Sequence, residues 1–333
     1  MNINEIQQQL FQVIKTKLPA EASVADEIAK LLSISSDSAY RRMRSEKQIT
    51  FEELYLLCTK YNISLDQLMN IQTGAFMFQG NLINPQTYRY DAYLTGSMHS
   101  VAYFASFKHT EFYYLCKDVP IFHHWHCKEF AAFKYFVWMG TLIHFPEFRN
   151  KKVKLEEYPN EYWEMGQKMM GFYNKLDSCE IWNLESLNAT LHQIEYYRDN
   201  GFFYTDQDAL KIYESLEKTM EHLEEQARLG YKFDINDPTK KPMGKYSVYF
   251  NEIILLDNSM ITVLDNSKMA IIPHTGMNYM TTRDITFCEY LYQYVQNLLR
   301  RSTQISEVSE KERSRFYRLL RERIARRKEA LHV

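Results

Sequence analysis

Glycine and proline are scarce in this 333-residue sequence, at 10 and 8. Long segments therefore run without backbone breakers, and helix is expected to be abundant. The five cysteines are scattered, odd in number and form no CxxC pair. With no secretory signal pattern at the N-terminus, this points to a reducing, cytoplasmic setting. No run of about 18 apolar residues occurs, so no membrane span is expected. Walker, GxGxxG, GxSxG and HExxH patterns are also missing, which leaves catalysis without a motif to support it.

What is present is ordinary in total and uneven in distribution. Hydrophobic residues make up 45% and charged residues 25%, with a net charge of -2. Length and composition imply about two soluble domains with ample core. The 25 Tyr and 20 Phe fit either a ligand-binding surface or the bias of an A+T-rich coding sequence. Residues 1–73 hold eight basic and nine acidic residues, whereas 298–333 hold eleven and five. Both ends therefore differ in charge from the acidic middle.

The first seventy residues read as five short helices. Ile6, Leu10, Val13, Ile14 and Leu18 fall at helical spacing before Pro19. Ser23 with Asp26 announces a second helix with the stripe Val24, Ile28, Leu31 and Leu32. Thr50 with Glu53 is a capping-box pattern opening FEELYLLCTKY. Between the second and third helices only Ser33 and Ile34 precede a cap at Ser35 or Ser36, so the two must cross steeply. The stretch VADEIAKLLSISSDSAYRRMRSEKQITFEELYLLCTKYNISLDQL resembles the Cro/repressor-type (XRE) helix-turn-helix, including its closing NISLDQL. The resemblance covers residues 1–73 and implies an all-α, lambda-repressor-like domain whose third helix reads the major groove of double-stranded DNA. Glycines common in that family, in the turn and after the third helix, are replaced here by Ser33 and Ser45.

The third helix can be phased in two ways. A cap at Ser35 turns Ala39 and Arg42 inward; a cap at Ser36 turns Tyr40 and Met43 inward and frees the arginines. The second phase buries apolar groups and is the one expected. The candidate DNA-contacting residues are then Ser36, Asp37 and Ser38 near the tip, with Arg41, Arg42 and Arg44 reaching guanine edges or phosphates.

Residues 74–303 read as a larger α+β domain joined through QTGAFMFQG. Asn84-Pro85 and Pro159 are expected to open helices, and Thr205 with Asp208 to cap a long helix ending at Gly230. TEFYYLC and CEIWNL read as strands. YSVYFNEIILL, MITVL and MAIIP, separated by two LDNS turns, read as a three-stranded antiparallel meander, followed by a helix from about Asp284 to Arg301. Residues 304–333 form a basic helical tail. It opens with a Ser309/Glu312 capping box and carries Phe316, Tyr317, Leu320 and Ile324 on one side. Docking of that stripe on core is the default; its arginines are the alternative phosphate contacts.

One cluster invites chemistry. On a helix, His123, His126 and Cys127 of HHWHC share a face at i, i+3 and i+4, the donor types that ligate zinc or iron. No fourth ligand lies nearby and no paired motif completes the site, so packing is the simpler reading and neither metal nor cofactor is assigned. The function expected is a one-component, sequence-specific transcription regulator. Its second domain senses a small-molecule effector or makes a homodimer. A metal-dependent enzyme, or an interaction module with an accessory helix-turn-helix, is the alternative.

Overall fold

A computed structural model describes residues 2–18, 22–69, 75–149, 151–253 and 257–331. Pro19, the start of the joint (72–74) and residues 254–256, which end YSVYFNEIILL and include Leu256 of the first LDNS, lie outside the described residues. The chain divides into two compact units, Met1–Met77 and Phe78–Val333.

The first unit is helical throughout its described residues: α1 (Ile3–Lys17), α2 (Val24–Leu32), α3 (Ser36–Met43), α4 (Phe51–Tyr61) and α5 (Leu65–Met69). Small polar residues start these helices by accepting otherwise unpaired amides. Asn2 pairs reciprocally with Glu5, and Thr50 with Glu53, in two capping boxes. Ser23 accepts from the Asp26 amide and Ser35 from the Ser38 amide. Leu10, Ile14, Ile28, Ala39 and Leu57 are wholly buried where the helices meet. Ser33 and Ser45 both sit in left-handed backbone, with φ of 53° and 60°. Each serine costs about 1 kcal/mol relative to a glycine at the same place.

In the second unit the described residues form one mixed sheet. Its strands are β1 (Gln79–Gly80), β2 (Thr110–Cys116), β3 (Asp177–Trp182), β4 (Tyr246–Phe250), β5 (Met260–Leu264), β6 (Ser267–Pro273), β7 (Tyr279–Thr282) and β8 (Thr303–Gln304). The spatial order is β1-β7-β6-β5-β2-β3-β4-β8. β2, β3 and β4 run parallel because helices long enough to cross the sheet connect them: α7 (Lys128–Phe136) and α8 (Asn160–Tyr173), then α9 (Asn188–Asp199) and α10 (Asp206–Leu229). Together with α6 (Tyr90–Phe104) and α12 (Glu310–Glu329), these helices cover one face, against Phe112, Tyr114, Trp182, Tyr246 and Phe250. The alternate residues Leu115, Ile181, Ile261 and Ala270 point to the other face, where Cys288, Leu291 and Val295 of α11 (Ile285–Arg300) pack on them.

Four expectations change. The meander exists, but its strands are β5, β6 and β7; YSVYF is instead the parallel β4, ended by an Asn251 side chain that accepts from the Ile253 amide at 2.8 Å. Asn84-Pro85 makes a single turn, the Asn84 side chain accepting from the Gln86 amide, and the helix waits until Tyr90. Ser309 is the left-handed N-cap residue (φ 56°), but its side chain makes no cap hydrogen bond; the buried Arg313 holds this corner by donating to the Ile305 and Val308 carbonyls, both at 3.1 Å. Residues 304–333 are not a separate segment, since β8 joins the sheet and Phe316, Tyr317, Leu320 and Ile324 of α12 are core. Several tail arginines are occupied there: Arg321 pairs with Glu224, Arg327 with Glu195, and Arg323 with the Leu184 carbonyl.

Two glycines are required by close approach. A Cβ at Gly166 in α8 would lie 2.0 Å from the Trp125 ring, and Gly230, at φ 77°, ends α10 under the Glu307 side chain. After α7 the chain widens into a π turn, Val137–Leu142. There the Tyr197 hydroxyl donates to the Phe136 carbonyl at 3.3 Å and meets the Thr141 hydroxyl at 2.8 Å, tying α9 to the turn. Among the described residues no helix is long and apolar enough to cross a membrane.

Candidate functional site

The surface of α3 is decided by its cap. Because Ser35 occupies that position, Ala39 and Arg42 turn inward and Tyr40 turns out, 47% exposed. The expected phase is therefore reversed, and Arg42 does not belong to the outward face. The cause is a partner on α4: Arg42 donates from Nε and Nη2 to the two Glu53 oxygens at 3.0 and 2.6 Å, and from Nη1 to the Ser38 carbonyl at 3.1 Å. A guanidinium bonded this fully can be buried where a lone one cannot. Glu53 serves twice, since it also accepts from the Thr50 amide in the α4 capping box. The Arg42 guanidinium beside it holds its carboxyl below the ordinary range.

A second clamp fixes the chain leaving α3. Buried Gln7 of α1 donates to the Arg42 and Lys47 carbonyls at 2.7 and 2.8 Å and accepts from the Ile49 amide at 3.0 Å. The sequence pattern marks Glu53 only as a cap and gives no sign of Gln7, whose partners lie 35 to 42 residues away.

The outward stripe that results is Ser36, Asp37, Tyr40, Arg41 and Arg44, spaced for one helical face and open to solvent along it. The Ser36 hydroxyl donates to Asp26 of α2 at 3.0 Å, tying the tip of α3 to the preceding helix. Ser38 is half-buried and committed to the cap. Arg41 and Arg44 approach Glu46 only at 4.0 and 3.8 Å, with side chains 55% and 70% exposed. Such surface pairs hold their partners weakly, so both guanidiniums can be recruited by another acceptor.

The histidine segment lies elsewhere, inside the second unit. Ile121–His126 is a 3-10 helix, and Cys127 leaves it in extended backbone as the last residue before α7, so the three-residue face that an α-helix would give does not form. His123 meets His126 instead, Nδ1 to Nε2 at 3.1 Å, while its Nε2 faces the two oxygens of Glu180 at 2.8 and 3.1 Å. Glu180, in β3, is wholly buried and also accepts from the Tyr173 hydroxyl (2.6 Å), the Tyr246 hydroxyl (2.7 Å) and the Trp182 indole (2.8 Å). Burial alone would raise its carboxyl, but the adjoining His123 and these phenols outweigh that and hold it at about 2. Next to this centre Lys232 is buried, donating to the Tyr173 carbonyl and the Ser178 hydroxyl; burial pulls its amine down to about 7 against the opposing pull of Glu180. Among the described residues no group of three or more His, Cys, Asp and Glu side chains is arranged to hold a metal ion. This arrangement is chemically a satisfied charge in a dry core, which anchors strand to helix.

A pH dependence follows. Burial lowers His124 and His126 well below the usual histidine range and brings His222 to about 3. Between pH 6.5 and 3 the unfolded chain therefore binds protons that the folded one refuses, and below 4.5 Glu180 acts in the same direction. The second unit is expected to lose stability steadily as pH falls below 6.5, by about 1.4 kcal/mol per pH unit for each such histidine. Urea melts between pH 7.5 and 4 test this, and a flat profile would contradict it.

No protein-family model, curated protein or solved structure matches this chain.

Proposed function

We propose that the first unit is a helix-turn-helix of the Cro/repressor type that binds double-stranded DNA through α3, and that the chain is a one-component transcription regulator acting in the cytoplasm. The observation that carries this reading is the exposed stripe Asp37, Tyr40, Arg41 and Arg44 on a helix held rigidly from behind by Arg42, Glu53 and Gln7. A recognition helix needs both features: side chains that reach base edges or phosphates, and a backbone whose position does not shift. The arginines supply bidentate donors for guanine or phosphate, and Asp37 is an acceptor suited to the cytosine amine. The link between α2 and α3 is short, with Ser33 in left-handed backbone, and a brief turn of this kind is what such docking uses. The second unit, on this reading, senses a signal or joins two copies.

The experiment is selection from random double-stranded DNA by the full chain at physiological salt. A reproducibly enriched sequence is expected, in two halves if the protein acts as a dimer. Failure of a folded sample to enrich any sequence sinks the assignment.

A further inference from the structure

The first unit keeps one large apolar surface open. Leu57 and Tyr61 of α4 are buried in the unit's core, yet Phe51, Tyr55 and Leu56 on the opposite side are 81%, 63% and 37% exposed. With Glu52, Thr59 and Lys60, also exposed, they make one continuous helix face. A cluster of large apolar side chains left in water on a helix that already buries its other side marks an interaction surface.

The charges on this face select its occupant. Glu52 stands in the first turn of α4 and Lys60 in the last. We propose that α4 packs against α4 of a second copy of this chain, antiparallel about a two-fold axis between Tyr55 and Leu56. The two-fold brings Tyr55 of each copy onto Leu56 of the other. It lays Phe51 along the Lys60 stem and sets Glu52 beside Thr59 and Lys60, twice over. A parallel arrangement would instead place Glu52 against Glu52 and Lys60 against Lys60. In an isologous contact every residue meets its symmetry mate's neighbourhood, so opposite charges at opposite ends of one helix favour the antiparallel pair. Glu52 within the face also disfavours nucleic acid as the occupant, since phosphate would be repelled there. The inference extends the DNA-binding reading, on which its purpose rests, by joining two α3 helices through the helix that follows each; the pairing itself is read without DNA.

Sedimentation velocity on the full chain, with no DNA present, tests it. The unaltered chain is expected to be dimeric at tens of micromolar. Glu52→Lys alone and Lys60→Glu alone each create two like-charge contacts and are expected to weaken dimerisation by about tenfold or more. The double reversal Glu52→Lys/Lys60→Glu restores opposite charges and is expected to recover most of the loss. Phe51→Ser, which touches neither charge, is expected to weaken the dimer with the far-UV spectrum unchanged. A monomeric unaltered chain, single reversals that leave the dimer intact, or a double reversal that does not recover each overturn the proposal, because only the antiparallel pair requires all three results. Rescue in a chain that selects no DNA sequence would sink the DNA reading and leave this one standing.

Discussion

Replacing Arg41 and Arg44 together with alanine is expected to lower affinity for a selected DNA site by about two to four orders of magnitude, at about 1–3 kcal/mol for each bidentate pairing removed. Neither side chain supports the fold: both are mostly exposed and meet Glu46 only at about the limit of an ion pair. The melting temperature of the variant should therefore stay within a degree or two of the parent. The salt dependence separates their roles. An arginine that grips a phosphate takes about 0.9 from the slope of log K against log salt when removed, whereas one that reads a base edge relaxes specificity at one position. Arg42→Ala is the control with the opposite signature. It leaves the Glu53 carboxylate facing a buried gap, a loss of about 3–5 kcal/mol, and the first unit should unfold. Loss of DNA binding by Arg42→Ala alone would thus say nothing about recognition. Unchanged affinity in the Arg41/Arg44 variant would remove the main support for α3 as the reading helix.

Replacing Glu180 with alanine is expected to abolish cooperative folding of the second unit while the first keeps its helices. Four donors converge on this carboxylate, from His123, Tyr173, Trp182 and Tyr246, and all four side chains are buried. Each orphaned donor costs about 1–3 kcal/mol, and the sum approaches the whole stability of a typical domain. The positions of the donors explain the severity. Tyr173 ends α8, Tyr246 starts β4 and His123 lies before α7, so one carboxylate links two strands and the helices above them. Glu180→Gln keeps the shape and one acceptor, and should lie between the two extremes. Near-UV circular dichroism with urea titration reports the aromatic core directly. A Glu180→Ala protein with native near-UV signal and a midpoint close to the parent would contradict this account.

The helix starts that were legible were those whose caps are local and unchallenged. Ser23, Thr50 with Glu53, and Thr205 with Asp208 each act within three residues, and Gly230 ends α10 as its freedom at positive φ allows. Apolar periodicity likewise revealed the core faces of α1, α2, α11 and α12, since burial of a stripe depends on spacing along one element. The strands TEFYYLC and CEIWNL were equally readable from their β-branched and aromatic content, but their order was not.

What sequence alone determined, then, is the inventory: a helical first unit, a mixed helix-and-strand second unit, and an amphipathic C-terminal helix. Tertiary structure decided everything that depends on a distant partner. The phase of α3 went against apolar preference: Glu53 and Ser38 together satisfy the Arg42 guanidinium, which removes the penalty an unpaired buried charge would carry. YSVYF became a parallel strand rather than the first arm of the meander because β3 offers it a free edge once α9 and α10 have crossed the sheet. His123 turned to Glu180, 57 residues away, and took His126 as its other partner, instead of sharing a face with Cys127. In each case a long-range hydrogen bond in a dry interior outweighs local pattern, because an unpaired polar group there costs more than any propensity can offset.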